Sequence, residues 1–317
     1  MASECSDGLT ESKAASFAKG KLRLKERLLF ASKRLNKKLV HNLNTINALS
    51  KKFASLLIAI CVVFVGSIEA DTVDESESNQ ISTSFNSHEP IPQSDIALYS
   101  GAGIVKAMLS CATERYEHGV LGDKIEAGCL IVEDQSATVY QLDLPYHQVF
   151  EDLVPRIADM DGDGHNDVVL VRSDAEFGAA LVIYSLEATD HQRALRELSA
   201  TPPIGTANRW LAPVGIADFN NDAVLDVAYV QTPHIAGTLK VWSFVDNKFQ
   251  QLAQSRGYSN HRIGATRVST AKLQDYNNDG VIDLALPDQM WQHTLWVTLY
   301  PRLEVLDSEP YDLSHFD

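Results

Sequence analysis

The chain has 317 residues, of which 45% are hydrophobic and 22% charged, and its formal net charge is −15. This composition is typical of a water-soluble folded protein with enough length for one large domain or two ordinary ones. The acidic balance disfavours a nucleic-acid partner, because such a protein needs a cationic surface to displace counterions from phosphates. Four cysteines are too few for a disulfide-dense small protein.

The charge is unevenly distributed along the chain. Residues 1–52 hold 12 Lys or Arg against 4 acidic residues, so this basic segment carries +8 and the remainder −23. One interpretation places the true start of synthesis near Leu39 or Val40. The second interpretation is a cytoplasmic basic helix with a leucine stripe, lying on an anionic membrane surface.

A run without any charge, Phe53–Gly66, follows Lys51 and Lys52. Its 14 residues fall short of the roughly 20 that a transmembrane helix needs, but they are typical of a signal-peptide core. Residues 53–70 are therefore a predicted signal peptide, cleaved after Ser67 or Ala70, or else an uncleaved anchor. In either case the rest of the chain is predicted to be exported: periplasmic, secreted or on the cell surface.

Residues 71–94 are rich in Ser, Asn, Glu and Pro and have few periodic hydrophobic residues. This composition predicts a disordered linker. A folded domain is then expected over residues 95–317.

That domain contains an internal repeat, which determines the predicted fold. The segment DMDGDGHND begins at Asp159, DFNNDAVLD at Asp218 and DYNNDGVID at Asp275, which are spaced by 59 and 57 residues. Each copy follows an aliphatic residue and precedes a short apolar run, and no stretch of the domain has a convincing helical period. The repeats predict three similar all-β units.

Oxygen-bearing side chains at positions 1, 3, 5 and 9 of a tight loop suit Ca²⁺, which takes about six to eight oxygen ligands. Position 7 would add a main-chain carbonyl. Glycine at position 6 suits the turn, and the second copy departs from this pattern with Ala223. The predicted ligands are Asp159, Asp161, Asp163, Asp167 and the carbonyl of His165; Asp218, Asn220, Asp222, Asp226 and the carbonyl of Val224; and Asp275, Asn277, Asp279, Asp283 and the carbonyl of Val281.

An EF-hand and a simple solvated turn fit these loops less well. An EF-hand needs flanking helices and a glutamate at position 12, where this chain has Leu170, Tyr229 and Leu286. A solvated turn accounts for one acidic loop but not for three evenly spaced copies. The cofactor prediction is up to three Ca²⁺ ions.

The three loops resemble the FG-GAP, or VCBS, repeats of extracellular β-propellers, including the calcium blades of integrin α-subunits. The resemblance covers about Asp95 to the C-terminus. It implies a β-propeller with one four-stranded blade per repeat, calcium of a structural kind and an exported location. Three repeats and one degenerate unit, 95–150, give about four blades, the lower end for closure. Either a small propeller closes, with a strand near Ile96 completing the last blade, or an open array needs a partner.

Several polar and aromatic side chains recur in the predicted loops. Convergence on one face would make them a site for an anionic or sugar-like ligand, and otherwise they are ordinary loop-packing residues. The candidates are His118, Arg209, Trp210, His234, His261 and Arg262. Cys111 and Cys129 either form a disulfide in the first unit or are two buried thiols.

The sequence favours an exported calcium-binding interaction or adhesion module over an enzyme, because it has no nucleophile elbow and no acid–base pair outside the loops. Its partner would be a protein or a glycan outside the cytoplasm. The alternatives are a polysaccharide-active lyase or hydrolase on a propeller scaffold, and a membrane-tethered scaffold held by residues 53–66.

Overall fold

A computed structural model describes residues 81–82, 84–189 and 192–316. The predicted basic segment, the predicted signal or anchor segment and residues 71–80 of the predicted linker lie outside the described residues. The described residues form an all-β structure with two short 3-10 helices, Phe85–Ser87 and Leu313–Phe316. None of their helices has the length and apolar character needed to cross a membrane.

The strands are numbered in chain order. Most of them are half or fully buried and rich in β-branched and aliphatic residues, which fit a pleated surface. They are β1 (Ile81–Ser82), β2 (Ala97–Leu98), β3 (Ala102–Thr113), β4 (Glu126–Asp134), β5 (Val139–Asp143), β6 (Gln148–Phe150), β7 (Arg156–Ala158), β8 (His165–Asp174), β9 (Gly178–Ala188), β10 (Arg193–Ala200), β11 (Leu211–Ala217), β12 (Asp226–Gln231), β13 (Thr238–Val245), β14 (Lys248–Arg256), β15 (Lys272–Gln274), β16 (Asp283–Pro287), β17 (His293–Thr298) and β18 (Glu304–Pro310).

The last eight strands form two separate four-stranded sheets. Their order follows the chain, β11-β12-β13-β14 and β15-β16-β17-β18, and every pairing is antiparallel. The strands β7 to β10 pair in the same sequential way. In all three sets the repeated acidic loop joins the first strand to the second. The repeat seen in the sequence is therefore a repeat of structure.

The first unit does not form a sheet of its own. It joins β7 to β10 in one ten-stranded sheet, because β6 pairs with both β4 and β8. A short parallel pairing between β3 and β8, which sets Ala102 beside His165, adds to this junction. The sequence predicted separate units, and the link through β6 is a finding of the structure.

Two apolar clusters hold these sheets together. The larger one spans the ten-stranded sheet and the sheet of β11 to β14, and includes Phe150, Tyr184 and Tyr229. The second one packs β11 to β14 against β15 to β18, with Phe219 and Leu284 fully buried. Burying each such side chain contributes about 1.5–3 kcal/mol.

The predicted linker boundary at residue 94 needs correction. Phe85 and Ile91 are buried, and the Ile91 amide donates to the Leu109 carbonyl at 2.9 Å. Isolated apolar residues in a polar segment thus pack on the sheet. The strand near Ile96 is also placed differently: β2 pairs with β3 of its own unit and not with the last sheet.

Cys111 and Cys129 form a disulfide across the neighbouring strands β3 and β4. The bond closes a segment with a sequence separation of 18 residues. Cys129 is fully buried beside Met108 and Ile131, so the bridge forms part of a small apolar cluster that also holds Phe85.

Candidate functional site

The three acidic loops share one pattern of hydrogen bonds when their residues are numbered by loop position. Both carboxylate oxygens of position 1 accept main-chain N–H groups. In the first loop Asp159 accepts from Gly162 and Gly164, both at 2.9 Å. In the second Asp218 accepts from Asp222 at 3.1 Å and Ala223 at 2.8 Å. These bonds fix the curl of each loop around its first carboxylate.

The third loop repeats this pattern. Asp275 accepts from Asp279 at 3.0 Å and from Gly280 at 2.9 Å. The position-5 carboxylate in turn accepts the position-7 N–H, as Asp279 does from Val281 at 2.8 Å. A carboxylate oxygen that accepts one N–H group keeps a further lone pair, which a cation can use.

Position 9 is the buried carboxylate of each loop. One oxygen of Asp167, Asp226 and Asp283 accepts the N–H of position 2, at 3.0 Å in every loop. The second oxygen of Asp226 and of Asp283 is buried and has no hydrogen-bond partner. A buried carboxylate oxygen without a partner destabilises the folded state by about 1–3 kcal/mol or more. A cation or another donor at either of these two atoms would remove that cost.

Burial also affects the ionisation of these groups. It raises the pKa of Asp167 to about 7 and that of Asp226 to about 6. Nearby loop carboxylates act in the same direction, with Asp161 contributing to Asp167 and Asp222 to Asp226. In the first loop, oxygens of Asp159, Asp161 and Asp163 lie within 4.8 Å of one another. The residues present therefore fit a hard divalent cation, with oxygen ligands and negative charge to be neutralised.

Position 6 has a left-handed backbone in all three loops. Gly164 and Gly280 have φ values of 88° and 89°, and Ala223 has 66°. The backbone at Ala223 therefore has the same left-handed conformation as at the two glycines. The second loop thus keeps the same turn as the other two loops. Position 4 is also left-handed, in Gly162, Asn221 and Asn278.

Four of the six residues predicted for ligand binding come together in loops at the opposite strand ends from the acidic loops. Trp210 precedes β11, and its ring lies nearly parallel to His234, at 6.3 Å between centroids, and edge-on to His261, at 4.7 Å. The Trp210 indole N–H donates to the Glu151 carbonyl at 2.8 Å. The Glu151 carboxylate meets His118 Nδ1 at 2.5 Å. We call these five residues the histidine cluster.

The two predicted arginines are not part of this cluster. Arg209 is half-buried, and its guanidinium donates to the Asn208 carbonyl at 2.9 Å. Arg262 is exposed and lies 4.0 Å from the ring centroid of Trp291, with Tyr311 beyond it at 5.9 Å. Neither arginine therefore supplies the positive charge that an anionic ligand of the histidine cluster would need.

Sequence reasoning missed the acidic members of this region. Glu151 is fully buried and also accepts a bond from the Ser173 hydroxyl. Glu126, at the start of β4, is 1% exposed, and its Oε2 has no partner. Burial, and then the charge of Glu151, raise the pKa of Glu126 to about 9. No sequence signal marks this pair, because a buried glutamate and a solvated one look alike in a sequence.

The family model for the FG-GAP-like repeat matches residues 159–229. The chain carries an FG-GAP-like repeat. The matched range runs from the first acidic loop through the second one into β12. The resemblance of the first two loops to this family is thus confirmed. The third loop lies beyond the matched range, but it has the same kind of hydrogen bonds as the first two loops. No curated protein matches this chain.

Proposed function

We propose that this protein is an exported, calcium-stabilised β-propeller of about four FG-GAP-type blades that acts as a non-catalytic interaction or adhesion module. The observation that carries the proposal is the similar arrangement of the three loops, in each of which a buried position-9 aspartate accepts the N–H of position 2. Each of the three loops is acidic, and each joins the first strand of its set to the second. A ligand of the same kind in all three loops best explains this repetition.

Calcium would be held by the side-chain oxygens at positions 1, 3, 5 and 9 and the carbonyl at position 7 of each loop. Bound there, Ca²⁺ supplies positive charge that offsets the mutual repulsion of the carboxylates. The chain's own contribution is the rigid curl, because Asp159, Asp218 and Asp275 are already held by main-chain N–H groups. Binding to the folded loop alone would then stabilise the fold by mass action.

The blade architecture is supported by strand order. β7 to β10, β11 to β14 and β15 to β18 are each four sequential antiparallel strands. Their calcium loops occupy the same place, between the first and second strands. The first unit, β2 to β5, would be the fourth blade, with β1 pairing on β5.

Export is supported by the disulfide between Cys111 and Cys129, since such bonds persist mainly in oxidising compartments. An interaction role is supported by exposed apolar side chains on neighbouring loops. Ile235, Ile263 and Met290 are 61%, 75% and 73% exposed. The Gln289 side chain, next to Met290, donates to the Ile235 carbonyl at 2.8 Å, which places two of these loops together. Such clustered apolar surface is typical of a protein–protein contact.

Thermal unfolding in Ca²⁺ and in EGTA tests the proposal. We expect Ca²⁺ to raise the melting temperature of the oxidised protein, and Asp226→Asn to reduce that gain, because it removes one buried ligand charge. Asp246→Asn, in an exposed turn, is the matched control and should keep the full gain. A melting temperature that is the same in Ca²⁺ and EGTA would refute the calcium assignment.

A further inference from the structure

The disulfide between Cys111 and Cys129 has one exposed end and one buried end. Cys111 is exposed, whereas Cys129 is fully buried and belongs to the small apolar cluster that also holds Phe85, Met108 and Ile131. A disulfide is opened by a thiolate that attacks one of its two sulfur atoms, and access decides which one is attacked. The Cys111 end of the bond is therefore the end that a thiolate from solvent can reach.

The backbone of Cys111 departs from that of an ordinary strand residue. In the pairing of β3 with β4, Cys129 lies opposite Ser110, and Ala112 lies opposite Ala127. Side chains alternate between the two faces of a strand, so an extended Cys111 would point to the other face from Ser110 and Cys129. Cys111 instead has a left-handed φ of 59°, which is unfavourable for a residue other than glycine. Opening the bond to Cys129 would allow this backbone to return to the extended form.

A carboxylate lies beside both sulfur atoms of this disulfide. Asp143 is the partner of Cys129 in the pairing of β4 with β5. One of its carboxylate oxygens lies within 4.8 Å of the Sγ atoms of Cys111 and Cys129. Asp143 is exposed, and its Oδ1 accepts from the Gln141 side chain at 2.8 Å. Its negative charge opposes both the approach of a thiolate and the formation of a thiolate on the sulfur that leaves.

A positive charge lies near the same bond. A Cβ added to Gly128 would be 3.5 Å from Arg115 Nη1 and 3.5 Å from the Cys111 Cβ, so the guanidinium is a close neighbour of Cys111. Main-chain carbonyls hold it there, because Arg115 Nε donates to Gln148 at 3.0 Å and Nη2 donates to Pro145 at 3.3 Å. Arg115 therefore offsets part of the charge of the nearby carboxylate, which limits the size of the effect that this carboxylate has.

We propose that Cys111 is a site of thiol–disulfide exchange, at which an external dithiol opens the bond to Cys129 in the folded protein, and that Asp143 slows this reaction. The substrate class is a pair of thiols on one molecule, as in oxidoreductases with a Cys-X-X-Cys motif. This site is separate from the acidic loops and does not depend on the calcium assignment.

The reaction consists of two exchange steps. In the first step a thiolate of the dithiol attacks Cys111 Sγ and forms a mixed disulfide, while the electron pair of the broken bond passes to Cys129 Sγ, which takes a proton from water. In the second step the other thiol of the dithiol, as a thiolate, attacks the sulfur of the first, and Cys111 leaves as a thiolate that is then protonated. The dithiol is oxidised to a disulfide, and the protein is reduced by two electrons to two thiols.

Glutathione, which has one thiol, traps the first step. The oxidised full-length protein is treated briefly with glutathione in Ca²⁺ and without denaturant, quenched with acid, alkylated and mapped by peptide mass spectrometry. We expect about ten times as much glutathione on Cys111 as on Cys129, and complete reduction of the bond by dithiothreitol. The proposal is overturned if glutathione is found mainly on Cys129, or if both reagents leave the bond intact until the protein is unfolded.

The variant Asp143→Asn tests the role of the carboxylate. We expect glutathione to open the bond about three- to tenfold faster in this variant. The difference should shrink in about 1 M salt, where the Debye length is about 3 Å, whereas an effect on packing alone would persist. The control Asp246→Asn, in an exposed turn, should keep the wild-type rate. Equal rates in Asp143→Asn and the wild type would overturn the role of Asp143, and circular dichroism of the oxidised variant verifies its fold.

Discussion

Position 6 of the second acidic loop is an alanine in a backbone conformation that favours glycine. Ala223 has a φ of 66°, close to that of Gly164 and Gly280 in the first and third loops. A left-handed conformation costs a non-glycine residue about 1–2 kcal/mol. Glycine removes this cost, but it also gives the unfolded chain more conformational freedom, which lowers the free energy of unfolding by about 0.5–1 kcal/mol. Ala223→Gly should therefore stabilise the protein by about 0.5–1 kcal/mol.

The reverse changes provide the matched comparison. A Cβ at Gly164 or Gly280 would have no atom within 4 Å, so only backbone conformation opposes an alanine there. Gly164→Ala and Gly280→Ala should each lose about as much stability as Ala223→Gly gains. Ala188→Gly, at the exposed end of β9, is the control for the greater conformational freedom that glycine gives the unfolded chain. It should destabilise the protein by about 0.5–1 kcal/mol.

Urea unfolding in saturating Ca²⁺ and again in EGTA measures these effects. For a folded part of this size, 0.5–1 kcal/mol corresponds to a shift in melting temperature of about 1–4 °C. A loss of stability in Ala223→Gly equal to that of the Ala188 control would refute a backbone cost at position 6. If the gain appears only with Ca²⁺, the ion and not the chain imposes the left-handed turn.

Three further predictions concern different parts of the molecule. Replacing Cys111 and Cys129 together by Ser should cost about 2–4 kcal/mol in urea unfolding, because the disulfide restricts the unfolded chain; an unchanged midpoint would contradict this. Because the pKa of Glu126 is raised to about 9, the folded state holds a proton that the unfolded state releases. Stability should then fall as pH rises from about 5 to 9, by up to about 1.4 kcal/mol per pH unit, and Glu126→Gln should flatten this slope in saturating Ca²⁺; an equal slope in both proteins would argue against it. Gly237→Ala should prevent normal folding, because its Cβ would lie 1.9 Å from the Tyr258 carbonyl oxygen, whereas Gly205→Ala, with open space around the Cβ, should cost about 1 kcal/mol; similar expression and stability of the two variants would count against this geometry.

The all-β class and the position of the acidic loops could be predicted from sequence because both depend on local pattern. Aspartates spaced along a nine-residue segment, with apolar runs on either side, specify a tight turn between strands without reference to the rest of the chain. The link between the first two units could not be predicted in this way. It depends on the short strand β6, which pairs with two partners that lie far from each other in sequence.

The buried positions of Phe85 and Ile91 were also beyond the sequence pattern. Each is an isolated apolar residue among polar neighbours, so no period of two or of 3.6 marks it. Their packing depends on the sheet surface formed by β3 and β4. The same limit applies to the histidine cluster, because its members are brought together by loops from different sheets and Glu151 gives no local signal of burial.

The two groups of candidate ligands lie at opposite ends of the strands. Trp210 precedes β11 and the second acidic loop follows it, so the seven residues of that strand separate them by roughly 20 Å at about 3.3 Å per residue. Direct electrostatic coupling over that distance is weak in salt, because the Debye length is about 8 Å at physiological ionic strength. Calcium in the loops would therefore influence the histidine cluster chiefly by making the strands between them rigid.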